Sequence, residues 1–468
     1  MQEEKELPGR FQIFTPSIIF VLLSLLILSN MITMGVYFFI SLYIIIFTTL
    51  LIFCYFIWHR WRDKRKFSNV YDNKGKIIYF ISCGLGFAFL LFHSKLSLVH
   101  FLAISVLVLL AFAASIFIPQ KRKMTYVVIG LGIIGSFIFY LAFTHFGRAT
   151  IDVFNVIQKS TIQFIHGHNP YGKKYPAETF RPNDTHYFKL LYLLYGPGVV
   201  LFSSLGAFFG DIRISYIIAI ILMEIAIVRI AMNTQKNYTH HEGHARLVLG
   251  MLVFCPLILP MIIFSWADVY SMALIVGWLY FREKQFKGHI LIAMLCLALS
   301  FSVKFTAIIP LLPFFLWEKN MRKEITVGGI GTVIIMGIFA LWAGVSNFYH
   351  DVFVQLFNLN FRPDAMTIPA YIYANYHVFM AHWIFPAAVL LGVFMVWIFR
   401  VRTYRDALLS GSLFFLMTLL FAKQAFLNYY FNVVIMLILA VAYDTRTLTV
   451  MQKIAWPFSC FQRSNEKE

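Results

Sequence analysis

The sequence predicts an all-α protein: a polytopic bundle of about 12–14 transmembrane helices, with further juxtamembrane helices on the outer surface. Three observations carry this. Of 468 residues, 60% are hydrophobic and 13% charged, whereas a soluble domain has about 45–50% and roughly 25%. Apolar runs near the ~20 residues that cross a bilayer recur along the chain. The 39 Lys and Arg against 21 Asp and Glu, net +18, gather in short clusters between those runs. That is the positive-inside pattern of a membrane protein and excludes a basic nucleic-acid-binding face.

The elements follow in chain order. Residues 1–10, MQEEKELPGR, are acidic, and the apolar stretch 12–29 has no small-residue cleavage site, so it reads as an uncleaved first helix. Further spans are expected at 31–57, 77–92, 96–118, 124–146, 212–232, 247–265, 268–281, 289–303, 305–317, 325–345, 378–399, 407–422 and 428–443. Basic segments at 59–66, 120–123, 282–287, 318–323 and 400–405 place those turns in the cytoplasm. Threading the spans between them puts both termini inside and the segments 147–211, 346–377 and 423–428 outside. The stretch 190–209 is apolar enough to cross, but crossing would invert every later basic loop. It is therefore expected as helices on the outer surface, broken at Gly196-Pro197-Gly198.

Three regions result: an N-terminal four-helix accessory block over 1–118, a membrane domain over 119–443 that holds the sizeable outer loops, and a cytoplasmic tail over 444–468. No matched pair of interrupted helices recurs in two halves, which disfavours an inverted-repeat transporter. The cysteines at 54, 83, 255, 296 and 460 form no CxxC pair and read as packing residues.

Polar residues gather in the outer segments. Asp152 follows the span 124–146 and opens an amphipathic stretch. There a carboxylate is partly desolvated and presented to lipid headgroups, as a general base needs; the alternative is an ion pair with Arg148 at i,i+4. His168-Asn169-Pro170-Tyr171 and Tyr195-Gly196-Pro197-Gly198 are rigid corners. Asp268 sits at an outer hairpin tip. Lys304 interrupts an apolar run and either snorkels to the interface or is held inward as a phosphate partner. The loop 346–377 offers Asp351, Arg362, Asp364 and His377, and the last outer turn offers Lys423, Asn428, Tyr429 and Tyr430; the aromatics also suit an interfacial belt. The run Thr239-His240-His241-Glu242-Gly243-His244 has no standard metal spacing and reads as a solvated cytoplasmic loop. Sequons at Asn183 and Asn237 are weak signals, and no nucleotide or zinc-protease motif occurs.

In this order the pieces resemble the polytopic glycosyltransferases of the GT-C superfamily, in particular a bacterial mannosyltransferase-like branch that uses polyprenyl-phosphate sugars. The resemblance covers roughly 145–440 and rests on Asp152, Gly167-His-Asn-Pro-Tyr171, Tyr195-Gly-Pro-Gly198, Trp266-Ala-Asp268, Lys304 and Asn428-Tyr-Tyr430. Gly196 stands where that family usually has proline, Lys304 is not followed directly by proline, and four helices precede the span that leads into Asp152, whereas in many relatives the catalytic Asp follows the first helix.

The resemblance implies inverting hexosyl transfer on the outer face. Asp152 would be the general base, and Arg148, His168, Asn169, Tyr171, Tyr195, Asp268, Lys304, Arg362, His377, Lys423, Asn428 and Tyr429 would bind substrate. It implies a polyprenyl-phosphate sugar as donor and a glycolipid, polymer or glycan as acceptor, with membrane lipids as surroundings. Neither a divalent metal nor another cofactor is expected, since Lys304, Arg362 or Lys423 could hold the departing phosphate. The plasma membrane is the expected location, with the endoplasmic reticulum as alternative. Rival readings are a lipid-linked glycan flippase or other transporter, a glycan polymerase or ligase, and a noncatalytic scaffold.

Overall fold

The computed structural model describes residues 15–33, 42–51, 81–85, 122–146, 151–175, 192–234, 241–358, 361–362, 364–381, 383–399 and 401–443. The predicted span 96–118, the basic cluster 59–66, both sequons and the tail 444–468 lie outside the described residues. Among those described the protein is all-helical, with no strand.

Two described helices, Arg213–Thr234 and Lys319–Ala343, are long and apolar enough to cross a membrane. Other expected spans are broken where proline removes a backbone donor and clashes with the preceding turn. The run 247–265 divides into His241–Val253 and Ile258–Ile263 across Pro256, and 305–317 into a 3-10 segment, Phe305–Leu311, and a short helix, Leu312–Trp317, carrying Pro310 and Pro313. The expected span 378–399 forms a helix only over Ile384–Phe399. The basic turn 318–323 shrinks to one residue, because Lys319 already opens the next helix.

The apolar stretch 190–209 is not one helix. Its helix, Pro197–Ala207, has 11 residues, about 16 Å at 1.5 Å per residue and too short for a ~30 Å core. The break falls at the expected corner. The amphipathic Asp152–Ile165 helix packs on it through a stripe that buries Val156, Ile157, Ser160 and Thr161. Gln158 fixes the far end, its Oε1 accepting the Ile212 N–H at 3.0 Å.

The core centres on Leu427–Ala442, buried along nearly its whole length between Thr15–Thr33, Arg213–Thr234, His241–Val253, Asp268–Arg282 and Tyr404–Leu420. Lys319–Ala343 is peripheral. Its Val333 and Leu341 are 71% and 78% exposed, on a face that also shows Ile330, Ile334 and Ile338. An apolar stripe this long is uncommon on a water-soluble monomer.

Candidate functional site

Asp268 is the first residue of the Asp268–Arg282 helix and is 1% exposed. The preceding turn bends through Ser265, whose φ of 53° lies in the left-handed region. Lys304 is the extended residue (φ −152°, ψ 107°) between His289–Val303 and the following 3-10 segment. That conformation turns its side chain back onto Asp268, with Nζ donating to Oδ1 and Oδ2 at 2.9 Å each. Asn428 and Asn432, one turn apart on one face of Leu427–Ala442, donate their amide N–H groups to Oδ2 at 2.8 Å and to Oδ1 at 2.9 Å. The Lys304 ammonium also lies 4.0 Å from the Tyr429 ring centroid. Lys304 is therefore held inward and does not snorkel. The carboxylate is saturated by one cation and two amides, the condition under which a buried charge pair is tolerated. On the other side, Asn432 Oδ1 is buried without a hydrogen-bond partner among the described residues.

Above this pair lies the Tyr195-Gly-Pro-Gly198 corner. A Cβ on Gly196 would collide with the Ser302 carbonyl oxygen, and one on Gly198 would meet Val303 Cγ2 at 2.7 Å and Ser302 Oγ at 2.8 Å. The corner thus rests directly on the backbone that leads into Lys304, which only residues without a side chain permit. Burial pushes the Tyr195 phenol well above its usual range, helped by the charges of Asp268, Tyr429 and Asp152. The Asp152–Ile165 helix packs on the helix that this corner opens, Pro197–Ala207. Asp152 is half-buried at the start of its helix, and its Oδ1 accepts the Val153 N–H at 2.8 Å.

The Asn169-Pro170-Tyr171 turn is bound to the same corner. Asn169 Oδ1 accepts the Tyr171 N–H at 2.8 Å and its amide donates to the Ala343 carbonyl at 2.8 Å; the buried Tyr171 hydroxyl donates to the Tyr195 carbonyl at 3.1 Å. The remaining expected residues are dispersed. His168 is exposed on its turn, and His377 is an exposed left-handed helix cap with φ 54°. Arg362 is gripped by Asp364 through two bonds at 2.7 and 2.6 Å and lies over Phe426. Lys423 is exposed, and Arg148 lies outside the described residues.

Four features escaped the sequence reading. Asn432 completes the Asp268 shell, and an Asn-x-x-x-Asn spacing on an apolar helix was the available signal. His350 and Asp351 form a hydrogen-bonded pair at 2.9 Å. Glu224, inside an apolar helix, accepts from Ser136 and Tyr140 at 2.9 Å each and so joins Arg213–Thr234 to Arg122–Phe146. The segment expected as a solvated loop at 239–244 is helical from His241, and His244 is 2% exposed with its Nε2 against the Ala442 carbonyl at 3.4 Å. Cys83 and Cys255 are buried and Cys296 is partly so. Among the described residues no cluster of three metal-ligating side chains occurs. Compared with family models, curated proteins and solved structures, the chain matches none.

Proposed function

We propose that this chain is a polytopic membrane glycosyltransferase of GT-C type that transfers a sugar from a polyprenyl-phosphate donor to a lipid-linked or cell-envelope acceptor on the outer face of the plasma membrane, with inversion. One observation carries the reading: Asp268, Lys304, Asn428 and Tyr429 form one cluster against which the Tyr195-Gly-Pro-Gly198 corner closes, and the helix that Asp152 opens packs on the helix that follows this corner. A saturated ion pair beneath a glycine corner and a half-buried carboxylate beside it suit a reaction that needs one base and a dry, preorganised floor.

In this mechanism the acceptor hydroxyl gives its proton to Asp152. Its oxygen bonds to the anomeric carbon from the face opposite the phosphate, and the C–O bond to phosphate breaks with its electron pair on the phosphate oxygen. Lys304 is a weaker candidate for the departing charge than the sequence suggested, because Asp268 neutralises it. The Asp268–Lys304 pair instead fixes the floor on which Tyr195 and Tyr429 stand.

The test is transfer of radiolabelled sugar from polyprenyl-phosphate donors in membranes carrying wild type or Asp152→Asn at matched expression. Loss of a general base lowers such rates by about 10²–10⁴-fold. Transfer that depends on the protein and falls by that amount supports the reading; an Asp152→Asn variant as active as wild type refutes the role of Asp152.

A further inference from the structure

A second polar cluster, built on His350 and Asp351, borders this site. Asp351, with no exposed surface, uses both carboxylate oxygens: Oδ2 accepts the Gly172 N–H at 2.6 Å and Oδ1 accepts from His350 Nδ1 at 2.9 Å. The first bond depends on a left-handed Gly172 (φ 74°), at which a Cβ would meet the Asn347 side chain at 2.7 Å. With Nδ1–H committed to Asp351, the chemically available nitrogen of His350 is Nε2, now 3.0 Å from the Gln355 amide nitrogen. The imidazole is 44% exposed and stands edge-on to Tyr192 at 5.2 Å, and Lys174 Nζ lies 6.0 Å from the centre of that same ring.

This turn is joined to both walls of the site. Tyr192 is three residues before Tyr195, and Phe353 stacks at 6.2 Å on Phe305, the residue after Lys304. Two cations expected to meet a departing phosphate are already engaged, Lys304 by Asp268 and Arg362 by Asp364. His350 is an accessible imidazole oriented by a buried carboxylate, the arrangement that prepares a histidine for proton transfer.

We infer that His350, oriented by Asp351 and assisted by Lys174, is the general acid that receives the departing lipid phosphate. The inference rests on the glycosyltransferase reading and deepens it. As the anomeric C–O bond breaks, the electron pair stays on the phosphate oxygen and the Nε2 proton of the imidazolium passes to that oxygen. The acceptor proton rests on Asp152, and exchange with water restores both groups. The match is chemical: an imidazolium N–H and an ammonium are the donors that form charge-assisted hydrogen bonds to phosphate oxygens. Neutral His350 can take the Gln355 amide hydrogen at Nε2, whereas the imidazolium presents an N–H there that a phosphate oxygen can accept. The titratable groups around it are Asp351 on its own turn, Tyr192 and Lys174 on the facing segment, and Tyr171 and Tyr175, which lie within electrostatic reach of Asp351.

The experiment measures direct binding of farnesyl phosphate to the purified full chain in detergent at pH 6 and pH 8, beside inorganic phosphate, for wild type, His350→Gln, Lys174→Gln and Asp351→Asn. Wild type should bind farnesyl phosphate about tenfold more tightly than His350→Gln at pH 6, the worth of one charge-assisted hydrogen bond, and equally at pH 8. Lys174→Gln should weaken binding at both pH values and keep the pH step. Asp351→Asn, a positioning change, should move the step to lower pH. Equal binding by wild type and His350→Gln at pH 6 overturns the inference while leaving the enzyme reading intact, as does unchanged affinity in Lys174→Gln. Inorganic phosphate that competes on equal terms overturns the lipid-headgroup assignment. Absence of farnesyl phosphate binding by wild type overturns the inference and the donor class together.

Discussion

The two ends of the Asp268–Arg282 helix both bury charge, and they do so in opposite ways. At the Asp268 end one carboxylate is shared by Lys304 and two neutral amides. At the other end one guanidinium is shared by two carboxylates. Arg282 Nε contacts Glu324 at 3.0 and 3.1 Å, its Nη2 reaches Glu318 at 3.0 Å, and its Nη1 donates to the Tyr404 hydroxyl; Trp278 Nε1 adds a bond to Glu324 at 2.7 Å. The planar fork of arginine fixes geometry, and here it ties together three segments that the basic loops had marked as cytoplasmic. Lysine is a point charge on a flexible stem, here laid over the face of Tyr429 and covered by a corner that tolerates no side chain. Under the proposed function the Arg282 cluster is a structural clasp and the Asp268 cluster a floor for chemistry, although burial alone would rank them equally.

Substitutions can break that comparison. The largest effect is expected from Asp268→Ala, which leaves Lys304 as an unpaired buried charge. Thermal unfolding in detergent should show a loss of about 3–5 kcal/mol, and sugar transfer per folded molecule should vanish. Arg282→Met should destabilise by a similar ~3–5 kcal/mol, since two carboxylates lose their shared cation, yet the protein that remains folded should transfer at wild-type rate. Gly196→Ala forces a Cβ against the Ser302 carbonyl, so about 1–3 kcal/mol of overpacking is expected, together with a change in transfer larger than the stability loss explains. Tyr429→Leu removes the ring beneath the buried Lys304 ammonium and should cost about 1–2 kcal/mol; unfolding at matched lipid content would measure it. If Arg282→Met silenced transfer as fully as Asp268→Ala at equal folded protein, the division between clasp and floor would be wrong.

Much of the helical order was legible in the sequence because apolar runs and charge clusters act locally. Asp268 and Lys304 stood out as charges beside apolar runs, and the Gly-Pro-Gly corner as a break. Their relation was not legible. The lysine meets its partner across 36 residues, and the pair's amide donors come from a helix 160 and 164 residues beyond Asp268. Gly196 looked like a turn residue; its necessity comes from a carbonyl more than a hundred residues away at Ser302. His244 looked solvated because its neighbours are polar, but the helix that begins at His241 carries it into the core against Ala442. His350 gave no periodic signal, since its partner is the adjacent residue and its orientation depends on a glycine in another loop. Local rules find elements and isolated charges, while pairings set by tertiary approach need coordinates.

The division between clasp and floor is decided by transfer of radiolabelled sugar from a polyprenyl-phosphate donor by three proteins normalised to folded material: wild type, Asp268→Asn and Glu324→Gln. Protein-dependent transfer is expected from wild type, with that rate retained in Glu324→Gln and lost in Asp268→Asn. Equal transfer by Asp268→Asn and Glu324→Gln would contradict that division.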